Sequence, residues 1–98
     1  MRNSRTQVDN IMFMSKKEAA RYIQLKALLK AGHIKDLGLQ PKYKIEYNGV
    51  KICTYIADFK YTQDGKEIVE DVKGQILPMY RLKKKLVKAF YGIDILET

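Results

Sequence analysis

The chain has 98 residues, nearly half of them apolar or aromatic, which is enough for one small core and too few for a second domain. Lys and Arg number 19 against 11 Asp and Glu, and this net charge of +8 points to a polyanionic partner, most simply nucleic acid. One cysteine, Cys53, and one histidine, His33, exclude an internal disulfide framework and a thiolate or imidazole zinc site within a single chain. Any metal must then be held by oxygen, so Mg²⁺ or Mn²⁺ is the expected ion. No apolar run approaches transmembrane length and no signal peptide is visible, so a cytoplasmic protein with no membrane partner is expected.

Residues 1–7 are polar and basic, with Arg2 and Arg5, and read as a loose arm or the start of a short strand. Val8-Asp9-Asn10-Ile11 reads as a tight turn feeding Met12-Phe13-Met14. Ser15-Lys16-Lys17-Glu18 is a capping box, so a helix is expected from Lys16 to Ala31, stopped by Gly32. Met14 is placed to staple against Ala19. Glu18, Tyr22, Leu25 and Leu29 fall on one stripe of that helix, which turns Glu18 toward the core side. Lys17, Arg21 and Gln24 are expected to face away. Glu18 has two readings, as a capping residue at the positive end of the helix dipole and as a site acid.

Leu37-Gly38-Leu39-Gln40-Pro41 reads as a loop. Tyr43 to Tyr47 is extended, and Asn48-Gly49 is a hairpin turn into the long run from Val50 to Tyr61. Asp64-Gly65 is a second such turn, leading into Ile68-Val69-Glu70-Asp71-Val72-Lys73. A two-residue turn with no bulge pairs Gln63 with Lys66, and the same register sets Asp58 opposite Asp71. Side chains so opposed have Cβ atoms roughly 4.5–5.5 Å apart. Two carboxylates held there repel, so one takes up a proton or a cation sits between them. Lys73 projects from the same face as Asp71. Two acids and an amine together suit a hard divalent ion with a general base or an electrostatic clamp beside it. An exposed charged face would need no function, but Ile52, Thr54 and Ile56 share the Asp58 face, and Val69 shares that of Asp71.

Pro78 opens a second helix that runs to about Tyr91 and stops at Gly92. Met79, Leu82, Leu86, Ala89 and Phe90 are its expected core face. Arg81, Lys84, Lys85 and Lys88 form a basic stripe, flanked by Lys83, with no acid in the sequence between Asp71 and Asp94. Ile93-Asp94-Ile95-Leu96 reads as a last strand, expected to follow its helix into a parallel pairing within a mixed sheet. The expected class is α/β (α+β), one domain over 1–98, in the order helix, three strands, helix, strand.

This order, with Asp58 in the second strand, Asp71-Val72-Lys73 in the third and Glu18 in the first helix, resembles the PD-(D/E)XK nuclease superfamily. The residue before the first acid is Ala57 rather than the proline of the motif's name. The stretches Ser15–Ala19, Glu70–Gly74 and Tyr80–Lys83 look like a group of short phage or prophage proteins in that superfamily. The compact layout is similar to phage junction-resolving endonucleases. The resemblance implies a restriction-endonuclease-like αβββαβ core and Mg²⁺- or Mn²⁺-dependent hydrolysis of DNA phosphodiester bonds, on branched or junction DNA. It implies Asp58, Asp71 and the Val72 carbonyl as metal ligands, with Glu18 completing the site. It also implies Lys73 as the catalytic cation and Gln75 as a further site residue, with no small-molecule cofactor. Neighbouring acids raise rather than depress a lysine pKa, which favours orientation and charge stabilisation over general-base action. Lys17, Arg21, Arg81, Lys84, Lys85 and Lys88 are the expected DNA contacts, and cutting two strands makes a homodimer plausible. The alternatives are a non-cleaving basic nucleic-acid-binding module and a small protein whose basic face binds an acidic partner.

Overall fold

The computed structural model describes residues 5–73 and 76–98. It is a mixed α+β fold. Ten elements follow in order: β1 (Thr6–Val8), β2 (Ile11–Phe13), α1 (Lys16–Lys30), β3 (Lys35–Leu39), β4 (Lys42–Tyr47), β5 (Val50–Ile56), β6 (Phe59–Gln63), β7 (Lys66–Asp71), α2 (Pro78–Tyr91) and β8 (Ile95–Glu97).

Three hairpins rest on the same turn chemistry. Asp9-Asn10, Asn48-Gly49 and Asp64-Gly65 all have positive φ at both central positions. Those are the angles of the turn whose twist matches antiparallel strands, and Asn, Asp and Gly reach them at least cost. The expected register holds in the third hairpin: Gln63 pairs with Lys66 and Phe59 with Glu70. Of the two readings of the first residues, the start of a short strand is the one seen: Thr6 to Val8 pair with Ile11 to Phe13.

The long central run is not one strand. It turns a corner at Ala57-Asp58. Before the corner, β5 pairs only with β4; after it, β6 lies between β3 and β7. The corner is tied down by Ala57 donating to the Pro41 carbonyl, Gln40 donating to that of Asp58, and Asp58 donating to that of Glu70. The four-stranded sheet is β3-β6-β7-β8, and β8 runs parallel to β7 as a crossover through α2 allows. β3 occupies part of the stretch expected as a loop. Asp36 at φ 57° and a register shift between Lys35 and Gly38 disguise it in the sequence.

Each face of this sheet carries a core. Phe13, Ala19, Tyr22, Leu25, Ile34, Phe59 and Tyr61 form one beneath α1. Ile45, Tyr55, Ala57, Val69, Val87 and Ile95 form the other beneath α2 and the β4–β5 hairpin. Phe13 takes the place expected for Met14: its ring packs 5.0 Å from that of Tyr22, while Met14 is exposed. The corner also leaves Ile52 and Ile56 exposed, so they do not share a buried face with Asp58.

The orientation of α2 corrects the expected core face. Met79, Leu82 and Phe90 are exposed, and Val87 is wholly buried, with Tyr80 and Leu86 packed beside it. Tyr91, though half-exposed, sets its ring edge-on to Tyr43 and donates its hydroxyl to the Lys44 carbonyl. The helix has two apolar stripes, and the aromatic one faces the protein.

Candidate active site

Four expected site residues converge from four places. Glu18 comes from the first turn of α1, Asp58 from the corner, Asp71 from the last position of β7, and Lys73 from just beyond it. Each place follows from local chemistry. The Ser15 hydroxyl accepts the Glu18 backbone N–H at 3.1 Å and starts the helix there. The Glu18 carboxylate lies near the Met14 backbone N–H, which favours its charged form, and reaches the acid cluster. Lys73 is held by its backbone: its N–H donates to the Thr98 carbonyl at 3.0 Å, and its carbonyl accepts Lys17 Nζ at 2.5 Å.

Asp58 Oδ2 accepts the Val72 N–H at 2.7 Å. Asp71 Oδ1 pairs with Lys73 Nζ at 3.1 Å, and Asp71 Oδ2 accepts the Tyr55 hydroxyl. Lys73 Nζ also lies 3.8 Å from the centre of the Tyr80 ring. Glu18 and Asp71 are buried. Burial, then the neighbouring Asp71 and Glu18, pushes the Asp58 carboxyl up to about 8 against the opposing Val72 N–H. Burial also raises Glu18, with Asp71 adding to it, while Met14 and Asp58 act the other way. Burial and the bond to Asp71 raise the Tyr55 hydroxyl far above its ordinary value.

An elevated acid makes stability depend on pH. Between its ordinary value of 3.8 and about 8, folded Asp58 keeps a proton that the unfolded chain has lost. Stability therefore falls as pH rises through that window and levels off above it. In metal-free protein, Asp58→Asn keeps an acceptor for Val72 and removes the titration. It should raise stability at pH 8.5 by roughly 2–4 kcal/mol and little at pH 4, as read from urea midpoints at both pH values. Equal effects at both would contradict the assignment.

Among the described residues, no group of three or more His, Cys, Asp or Glu is arranged to hold a metal ion. The reason is local: Asp58 Oδ2 is turned to Val72, and both Asp71 oxygens are taken by Tyr55 and Lys73. The chemistry of the set nevertheless fits a hard divalent cation. Its donors are carboxylate oxygens, and the buried acids crowd negative charge that a cation would relieve. Val72 contributes its amide to Asp58. Gln75 lies outside the described residues.

The expected DNA contacts divide. Arg21 does not face away. Glu70 is wholly buried on the sheet face opposite Asp71, and Arg21 grips it with Nε at 2.6 Å and Nη2 at 3.0 Å. Tyr61 and Thr98 donate to the same carboxylate at 2.7 and 2.9 Å. Burial opposes ionisation of Glu70, but these donors outweigh it and hold the carboxyl below its ordinary value. A buried carboxylate requires a countercharge, so Arg21 is a structural ion pair. Lys17 is turned onto the Lys73 carbonyl. On α2, Lys84 pairs with Glu97 at 3.0 Å and Lys88 with Asp94 at 2.9 Å, so the fold returns two acids to a stripe that has none in its own sequence. Arg81 and Lys85 are in no ion pair among the described residues.

Sequence reasoning missed Tyr55, Tyr80 and the Arg21–Glu70 pair. Tyr55 follows from strand alternation only once the corner is known. The others depend on contacts distant in sequence.

The model of a family described as "Protein of unknown function (DUF1064)" matches residues 1–95. The chain belongs to the DUF1064 family. The match takes in all four converging residues and both helices. No curated protein matches the chain. Among the described residues, no helix is long and apolar enough to cross a membrane.

Proposed function

We propose that this DUF1064 member is a metal-dependent endodeoxyribonuclease. The observation that carries the reading is the Lys73 ammonium, 3.1 Å from Asp71, beside an acid cluster drawn from separate elements. The fold brings Asp58 and Glu18 to the same cluster, where burial and the neighbouring Asp71 raise the proton affinity of both. Asp58 and Asp71 would hold one Mg²⁺ or Mn²⁺, with Glu18 completing the set. Such an ion supplies Lewis acidity at a phosphate oxygen when bound. Lys73 would stabilise the charge that develops on the scissile phosphate. An ammonium paired with a carboxylate suits that task better than proton abstraction. The resemblance of the sequence to phage junction-resolving endonucleases points to branched DNA as the substrate.

Calorimetric titration with Mn²⁺ tests the site directly. Wild type should bind the ion with an affinity that rises as pH climbs toward 8, because protons compete for Asp58. Asp58→Asn should lose binding. No heat of binding at any pH from 6 to 9 would count against the reading.

The DNA surface lies on α2. Arg81 and Lys85 should carry more of the phosphate contact than Lys84 and Lys88, whose charges Glu97 and Asp94 already offset. Changing Arg81 and Lys85 to Ala should flatten the dependence of log K on log salt by roughly one unit per residue. The Lys84, Lys88 pair should change it less. Fluorescence anisotropy over a salt series distinguishes them.

A second reading is a nucleic-acid-binding module without cleavage. The bonds from Val72, Tyr55 and Lys73, which satisfy the acids internally, favour it. Salt-dependent DNA binding with no divalent-ion binding would support it.

A further inference from the structure

We propose that Tyr80 is a positioning residue that fixes the Lys73 ammonium at Asp71; only the catalytic consequence rests on the nuclease reading. Lys73 has its backbone tied on both sides, by Thr98 and by Lys17, which leaves the flexible stem to be ordered. Asp71 holds one side of the ammonium at 3.1 Å. The ring of Tyr80 covers another, 3.8 Å from its centre, and a cation is attracted to the negative face of an aromatic ring. The side chain of Lys73 is 22% exposed, so the contact is partly shielded from water and keeps much of its strength.

Tyr80 also deals with a competitor. Glu97 lies close enough for the charge of Lys73 to act on it. The Tyr80 hydroxyl donates to Glu97 Oε2 at 2.6 Å, and Lys84 Nζ pairs with the same oxygen at 3.0 Å. Because Lys84 also holds Glu97, the Tyr80 hydroxyl is dispensable and its ring is not. The ring itself is placed by α2. Val87, on the same side of that helix, is wholly buried, and the Tyr55 ring lies 6.4 Å from that of Tyr80. The helix with the basic stripe therefore sets the position of the catalytic cation.

The test compares wild type, Tyr80→Phe, Tyr80→Leu and Tyr80→Met by NMR. A ring face over the ammonium shifts the ε-methylene protons of Lys73 upfield. Wild type and Tyr80→Phe should keep that shift. Leu and Met should both return it to the value of an exposed lysine, and Met, unbranched and flexible, serves if the Leu variant does not fold. Cutting of a four-way junction then reads the consequence: Leu should lower kcat roughly tenfold at unchanged KM for DNA, and Phe should restore it. An upfield shift retained in Leu or Met overturns the proposal. So does its loss in Phe, or a rise in KM in place of a fall in kcat. If wild type cuts no DNA, the nuclease reading fails, while the NMR comparison still decides whether Tyr80 holds Lys73.

Discussion

Arg21→Ala is expected to destabilise the protein by about 3–5 kcal/mol, because it strands the Glu70 carboxylate in a site with no exposure. A domain of this size has only about 5–15 kcal/mol to lose. Tyr61 and Thr98 still donate to Glu70, but neither brings a positive charge. Glu70 should then take up a proton, which reverses the pH dependence of the pair. In wild type, the depressed Glu70 contributes stability above its ordinary value of 4.5, and this is lost as pH falls through its lower folded value. In Arg21→Ala the raised carboxyl makes the protein gain stability as pH falls from neutral. Glu70→Gln in the same background should recover part of the loss, since an amide needs no countercharge. Urea denaturation at pH 5 and pH 7 reads both effects. An Arg21→Ala protein as stable as wild type at pH 7 would mean that the grip seen between α1 and β7 contributes nothing.

Asp71→Asn carries the largest expected effect on activity. Asn keeps the shape and an acceptor for the Tyr55 hydroxyl, yet it removes the charge that holds Lys73 and would hold the ion. Cleavage should fall by at least roughly 10²–10³-fold with little change in folding. The neighbouring acid provides the control. Glu70 is one residue away but on the other face of β7, held by Arg21, so Glu70→Gln should cost stability and leave turnover per folded molecule nearly unchanged. Measuring kcat on soluble, folded fractions separates the two. Equal losses of kcat in both variants would mean that the Asp71-Val72-Lys73 face is not the reacting one.

The site could be read from sequence where the chemistry is local. Asp64-Gly65 fixes a hairpin whose register carries through to Phe59 opposite Glu70, one step short of Asp58 and Asp71. Ser15 and Glu18 fix the start of α1, and Gly92, with φ 70°, fixes the end of α2. The corner at Ala57-Asp58 is not legible, because β-branched and aromatic residues continue on both sides of Asp58 with no Gly or Pro between them. β3 was hidden by Asp36 and Gly38, which read as turn residues but form an irregular edge pairing with β6. The facing of α2 was ambiguous because Met79, Leu82, Leu86 and Phe90 make as good a stripe as Tyr80, Val87 and Tyr91. Burial of Val87, not periodicity, decides between them. Arg21 looked like one more exposed cation, since nothing in the helix sequence reveals a wholly buried acid on a distant strand. The two acids that meet Lys84 and Lys88 lie past the end of the helix, and only the turn into β8 brings them back.

These differences bear on mechanism. The acid cluster and Lys73 lie between two packed faces, with α1 fixed by Arg21 on one side and α2 by its aromatic stripe on the other. A helix shift on either face would move a site residue: Glu18 with α1, Lys73 through Tyr80 with α2. The basic stripe is weaker as a DNA surface than its sequence suggests, because half of it is internally paired.

The most direct measurement is cutting of a four-way junction and of a supercoiled plasmid by wild type with Mg²⁺, Mn²⁺ or EDTA, run beside Asp71→Asn and Lys73→Ala. The proposed chemistry predicts cut junction with either ion, none with EDTA, and none above background from the two variants on either DNA. Cutting that persists in EDTA or in both variants, or its absence from wild type with both ions, would contradict it.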